Sequence, residues 1–237
     1  INVNIENHEQ PLVYIDDAFL LFQWMGHKDV NKFSFGHILS DAFPRLLIYK
    51  SLYEKNRNFK LLVPQILNIP VISQIFRLFN VESDNIIYLK FNNIYKMENL
   101  FTAKLCKLWD TPNEPIKSSF FLELRDKLQV NRSNNYTKKI AYLSRNEKTS
   151  WRSIMINEDE LIQRLIEKYN AIIIYDVKDL TLLERTKCLE DYHTIITTVG
   201  SNMMNLWFSM LPKNLVTIQS VEWDSYAEIL THLSKKE

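Results

Sequence analysis

The chain has 237 residues, 46% of them hydrophobic, with 29 basic and 28 acidic side chains and a net charge of +1. It is long enough for one large domain or two of ordinary size, and its balanced charge gives no electrostatic case for a nucleic-acid partner. Cys106 and Cys188 form no C-x-x-C pair, so neither a disulfide framework nor a zinc site is expected.

Taken in chain order, strand-like and helix-like runs alternate. "PLVYIDDAFLLF" reads as strand, and residues 35–54 carry a helical period. "FKLLVP" is a short buried strand, "IPVISQIFRLF" a helix and "NIIYLK" again a strand. The polar, proline-bearing "WDTPNEPIKSS", residues 109–119, reads as a linker, with helix "FFLELRDKLQV" after it. Strand "KIAYLS", helix "EDELIQRLIEKY", strand "AIIIYD" and helix "TLLERTKCLED" follow. The chain closes with strand "TIITTV", helix "SNMMNLWFSM", strand "LVTIQ" and a last helix "YAEILTHLSKK". Short apolar strands between amphipathic helices mean βαβ units and parallel sheets. The expected class is therefore α/β with two Rossmann-like domains, residues 1–115 and 116–237.

Ligands of open α/β sheets bind beyond the carboxyl ends of strands, which directs attention to the segments that follow them. In "FSFGHILSDAFPRLLIYK" the buried face is expected to be Phe35, Ile38, Leu39, Ala42, Leu46 and Tyr49. His37, Asp41 and Arg45 recur every fourth residue on another face, so their side chains can meet. A carboxylate beside an imidazole fixes its tautomer and raises its basicity, as a general base acting on a hydroxyl requires. The plain alternative is a surface Asp41–Arg45 ion pair and an incidental histidine. Pro44 has no N–H to give residue 40 and should kink the helix.

Arg145 leaves a strand end and Arg152 lies in the loop after it. Two guanidiniums at that edge suit a diphosphate, the alternative being ordinary solvated arginines. Asn157, with Glu160 three residues on, reads as an N-cap with its capping box. Only three glycines occur, against a usual share of about 7%. One of them, Gly200, ends a buried strand, and Ser201 or Asn202 would open a helix whose N-terminus favours an anion or nucleotide. Asn205 lies one turn later. His8, His27, His193 and His232 have no ligand-like spacing. D-x-D is absent, so no metal is expected, and no dinucleotide or P-loop glycine pattern occurs.

The three segments "FGHILSDAFPRL", "RNEKTSWRSIMINEDEL" and "TVGSNMMNLWF", in this order, resemble the glycosyltransferase family 61 domain. The family's H-x-x-x-D-x-x-P-R appears here as His37, Asp41, Pro44 and Arg45. A spaced arginine pair ahead of N-E-x-E-L appears as Arg145, Arg152 and residues 157–161. Of the family's H-G-A-G-x-x-N only Gly200 and Asn205 remain: Val199 stands at the histidine, and Ser201 and Asn202 at alanine and glycine. The acidic–Gln pair ahead of that strand is Glu184–Arg185 here.

The resemblance implies a GT-B-like pair of domains facing a cleft and metal-independent, inverting transfer from a nucleotide-sugar donor to a glycan acceptor, without a cofactor. The donor side would use Gly36, Arg45, Arg145, Arg152, Gly200, Ser201, Asn202 and Asn205, and the base would be His37 or Asp41. A catalytically silent nucleotide- or sugar-binding module, or another polysaccharide-modifying transferase, fits the same residues. No integral membrane segment is expected, since no run reaches the roughly 18 apolar residues of a span. The expected location is cytoplasmic, or peripheral at a membrane. A start at Ile1 rather than Met leaves room for a trimmed leader or anchor.

Overall fold

β1, Leu12–Leu20, buries Ile15, Ala18 and Phe19 and is the strand on which the first sheet is built. The structure, a computed structural model, describes residues 11–21, 36, 38–67, 70–90, 92–103, 115–129, 137–144, 155, 157–175, 177, 180–190, 192–207, 209 and 214–218.

β2, Lys60–Pro64, and β3, Ile86–Leu89, extend the first sheet on one side of β1, and β4, Ile94–Thr102, on the other. The order is β3-β2-β1-β4 with every pairing parallel. Ile15, Ala18 and Leu62 are buried among Val13, Leu20, Ile87, Leu89, Tyr95 and Met97. Burying one such aliphatic side chain fully is worth about 1.5–3 kcal/mol. The helices of this half are α1, Leu46–Lys55, and α2, Pro70–Leu78.

The second sheet repeats the plan. β5, Thr137–Leu143, is flanked by β6, Ile172–Ile174, and β7, Tyr192–Thr198; β8, Asn214–Ile218, pairs with β7. Its order is β6-β5-β7-β8, again all parallel. Tyr142, Leu165 and Ala171 are buried beside Ile140, Leu161, Ile162, Ile173, Ile196 and Ile218. The helices are α3, Pro115–Lys127, α4, Glu158–Tyr169, and α5, Leu182–Leu189.

Among the described residues the chain is α/β with two four-stranded parallel sheets, the class the alternation called for. It divides into two compact units, Ile1–Phe33 with Asp41–Leu105, and Ser34–Ser40 with Cys106–Glu237.

Four local readings change. The helix over 35–54 is not uniform: Ile38–Ala42 is a π turn, Phe43–Arg45 a 3-10 turn, and α1 begins only at Leu46. β4 was not anticipated, because Lys96, Glu98 and Asn99 interrupt its apolar pattern; it is a half-exposed edge strand. Its pairing with β1 is reinforced where Asn99 Nδ2 donates to Asp17 Oδ1 at 3.0 Å. The expected linker ends early, since α3 starts at Pro115, a residue suited to a first helical position, and buries Lys117 and Ser118. "SNMMNLWFSM" forms a 3-10 helix, Ser201–Trp207, in place of an α-helix. The last helix expected, over 226–236, lies outside the described residues.

Candidate active site

Pro44 governs the local winding of residues 38–45. Without an N–H it cannot continue the α ladder, and the chain takes a π turn before it and a 3-10 turn around it. Of the expected apolar face Ile38, Leu39, Ala42, Leu46 and Tyr49 are all buried, and Phe35 lies outside the described residues. So are two polar residues of the stripe, Asp41 and Arg45. Asp41 is 5% exposed and Arg45 2%, which overturns the alternative of a surface ion pair. A charged group is taken that far from water only when hydrogen bonds replace its hydration.

For Arg45 one such bond is clear: Nη1 donates to the carbonyl oxygen of Leu21 at 3.0 Å. Leu21 is the first residue past β1, and β1 is the strand whose neighbours β2 and β4 lie on opposite sides. Arg45 therefore secures the chain at the point where the first sheet reverses its strand order, the place where such sheets hold ligands. Gly36 is buried; His37 lies outside the described residues.

In the second unit the reversal falls between β5 and β7. Their carboxyl ends lead into Ser144 and into Val199–Gly200. Ser144 is tied on both sides: its N–H donates to the Ile174 carbonyl at 2.9 Å, and its hydroxyl to Glu158 Oε1 at 3.0 Å. The Tyr142 hydroxyl donates to the same oxygen at 2.8 Å. Glu158 thus joins the end of β5 to the first turn of α4. Burial, with the Glu158 bond second, pushes the Tyr142 phenol up, so it stays protonated and keeps donating.

The predicted cap of α4 is corrected. Among the described residues Asn157 makes no side-chain cap, and Glu160 accepts from Arg164 Nη2 at 2.6 Å instead of folding back. A capping box does exist one helix later. Thr181 Oγ1 accepts from the Glu184 N–H at 3.2 Å, and Glu184 Oε2 accepts from the Thr181 N–H at 2.8 Å. Arg145 and Arg152 lie outside the described residues.

After β7 the Val199 N–H donates to the Ile218 carbonyl at 3.0 Å, and Gly200 turns the chain with φ 146°. A side chain is disfavoured there, as the scarcity of glycine suggested. The Met203 N–H donates back to the Gly200 carbonyl at 3.1 Å as the 3-10 helix begins. For Ser201 and Asn202 the backbone alone is described, within that helix. Asn205 is 2% exposed, and its Oδ1 accepts from Arg185 Nη1 at 3.3 Å. Around the same strand end, Thr198 Oγ1 and Trp207 Nε1 are buried with no hydrogen-bond partner among the described residues.

Arg185 and Glu158 were not among the candidates. A signal for Arg185 was present in the sequence. Leu182, Arg185, Thr186 and Leu189 make an i, i+3, i+4, i+7 stripe, and all four are buried. An arginine within a core stripe announces a buried polar contact. Glu158 gave no such signal, because its partners are set by the meeting of β5 and α4.

Among the described residues no cluster of three His, Cys, Asp or Glu side chains could hold a metal ion, and no described helix is long and apolar enough to cross a membrane. The model of the family Glycosyltransferase 61 matches residues 35–218, most of the chain. A comparison with curated proteins gives no match.

Proposed function

This chain belongs to glycosyltransferase family 61, and from that membership we propose inverting, metal-independent transfer of a hexosyl or pentosyl unit. The donor is a nucleotide-sugar and the acceptor a glycan hydroxyl, within surface polysaccharide or glycan assembly. One observation supports the assignment of the donor side. The second sheet reverses its strand order between β5 and β7, and two of the three segments that resemble family motifs follow those two strands.

In this reading residues 1–115 serve the acceptor and residues 116–237 the donor, facing each other across a cleft in the GT-B manner, in the cytoplasm or at a membrane surface. His37 takes the proton of the acceptor hydroxyl, and Asp41 orients it. The acceptor oxygen forms its bond to the anomeric carbon from the face opposite the leaving group, and the carbon–oxygen bond to the nucleoside diphosphate breaks. The electron pair of that bond goes to the diphosphate, whose growing charge Arg145 and Arg152 meet with forked N–H groups. Gly200 lets the backbone approach the nucleotide-sugar closely, and Ser201, Asn202 and Asn205 bind it from the same turn. Gly36 and Arg45 shape the floor. Neither a cofactor nor a metal has a role in this scheme.

Incubation with a panel of UDP-, GDP- and dTDP-sugars, with and without oligosaccharide acceptors, tests the reading. Nucleoside diphosphate should be released, the product anomer should be inverted, and EDTA should leave the rate unchanged. His37→Ala should lower kcat by about 10²–10⁴ with little effect on donor affinity. Retention of anomeric configuration, or a rate abolished by EDTA and restored by manganese, would defeat the mechanism. Binding without turnover would favour the silent module, to which the valine at position 199 already lends some support.

A further inference from the structure

A single carboxylate oxygen ties together both ends of the segment that follows β5. Glu158 Oε1 accepts from the Ser144 hydroxyl at 3.0 Å and from the Tyr142 hydroxyl at 2.8 Å. Side chains two residues apart on an extended chain share a face, so both hydroxyls reach one atom. Ser144 is 2% exposed and Tyr142 wholly buried, which leaves little water to take the carboxylate's place. The Ser144 N–H is held as well, by the Ile174 carbonyl at 2.9 Å. Glu158 for its part opens α4, and its N–H donates to the Met155 carbonyl at 3.4 Å. Residues 145–157 run between Ser144 and Glu158, and Arg145 is the residue joined directly to Ser144.

We infer that Glu158 is a positioning residue for Arg145: by holding Ser144 it fixes the main chain on which the arginine's grip on a nucleoside diphosphate depends. The inference rests on the reading above in which Arg145 binds that diphosphate. A guanidinium fork must match phosphate oxygens in plane as well as in distance, so a shift of its anchor weakens the grip while the charge stays the same. What Ser144 and Tyr142 take from Glu158 is an acceptor oxygen rather than its charge. Both bonds end on the same atom, and the oxygen of a glutamine side chain has lone pairs for two.

The experiment titrates UDP, GDP and dTDP by calorimetry into wild type, Glu158→Ala, Glu158→Gln, Ser144→Ala, Arg145→Ala and the Glu158→Ala/Arg145→Ala double variant. Thermal melts of each set a titration temperature at which all are folded. Glu158→Ala should bind the diphosphate about tenfold or more weakly. Ser144→Ala should lose affinity in the same direction, and it carries the test if Glu158→Ala does not fold. Glu158→Gln should recover most of the wild-type affinity. In the double variant the losses should not add, because the carboxylate acts through the arginine it places; a general loss of stability would not show this coupling.

Wild-type affinity in Glu158→Ala or in Ser144→Ala overturns the inference. So does a Glu158→Gln protein as weak as Glu158→Ala, which would assign the effect to the charge. Additive losses in the double variant break the link to Arg145 while leaving diphosphate binding by that arginine intact. Unchanged affinity in Arg145→Ala, or a wild type that binds none of the three nucleotides, defeats the diphosphate reading beneath it.

Discussion

Replacing Gly200 with alanine puts a methyl group where φ is 146°, a region almost closed to residues with a Cβ. The turn has little room to relax. The Val199 N–H is held to Ile218 at 3.0 Å on one side, and the Met203 N–H to Gly200's own carbonyl at 3.1 Å on the other. Escape to an ordinary φ would break at least one of these bonds, worth about 0.5–1.5 kcal/mol net. Staying would cost about 1–3 kcal/mol of backbone strain. The cheaper route sets the loss, roughly 1–2 kcal/mol, which for a chain of this length lowers Tm by about 2–8 °C. Urea unfolding followed by far-ultraviolet circular dichroism measures the loss directly, with the slope unchanged. Asn170→Gly is the control. Asn170 closes α4 with φ 50°, so glycine there should be neutral or mildly stabilising. A Gly200→Ala protein that loses less than about 0.5 kcal/mol would refute the claim that this turn depends on glycine.

The other predictions concern charge. Arg45→Met keeps the bulk but withdraws the donor from the Leu21 carbonyl, and should cost about 1.5–3 kcal/mol in chemical denaturation; a loss no larger than that of an exposed arginine would show the bond to be unimportant. The Thr181 N–H, with the Thr181 hydroxyl second, holds the Glu184 carboxyl below its usual 4.5. A depressed carboxyl stabilises the fold above its unfolded value and loses that effect as pH falls through the folded one. The stability gap between wild type and Glu184→Gln should therefore be full at neutral pH and close in acid; a gap unchanged through the acid range would contradict this. Arg145→Ala and Arg152→Ala should each weaken nucleoside diphosphate binding by about ten- to a hundredfold, as read by calorimetry, while the melting temperature holds. Unchanged affinity in both would return those arginines to plain solvated side chains.

The parallel sheets were legible because their strands are short apolar runs between periodic helices, as in "KIAYLS" and "TIITTV". Period alone could not find β4, since an edge strand with exposed residues has no apolar face to display. Nor could it foresee the π and 3-10 turns around Pro44. A missing N–H says that a helix must change there, but packing decides how. Asn157 looked like a cap because of its type and its spacing to Glu160. Arg164, four residues beyond Glu160 on the same face, engages that glutamate instead. Gly200 was legible through scarcity, as one of three glycines in the chain. The Arg185–Asn205 contact was half legible: the stripe marks Arg185 as buried, but its partner comes from another element 20 residues away.

The bond from the Val199 N–H to the Ile218 carbonyl also bears on the order in which the molecule is made. All strand pairings of the first sheet lie within residues 12–102, so that ladder can close while the rest of the chain is still being synthesised. The second ladder cannot. β8 is the last of the described strands to emerge, and until it pairs with β7 the Gly200 turn lacks the bond that fixes its entry. The Gly200 turn is therefore among the last parts to acquire its shape at the ribosome. Nascent chains stalled before residue 214 should hold a protease-resistant first sheet while the residues after β7 remain open to cleavage.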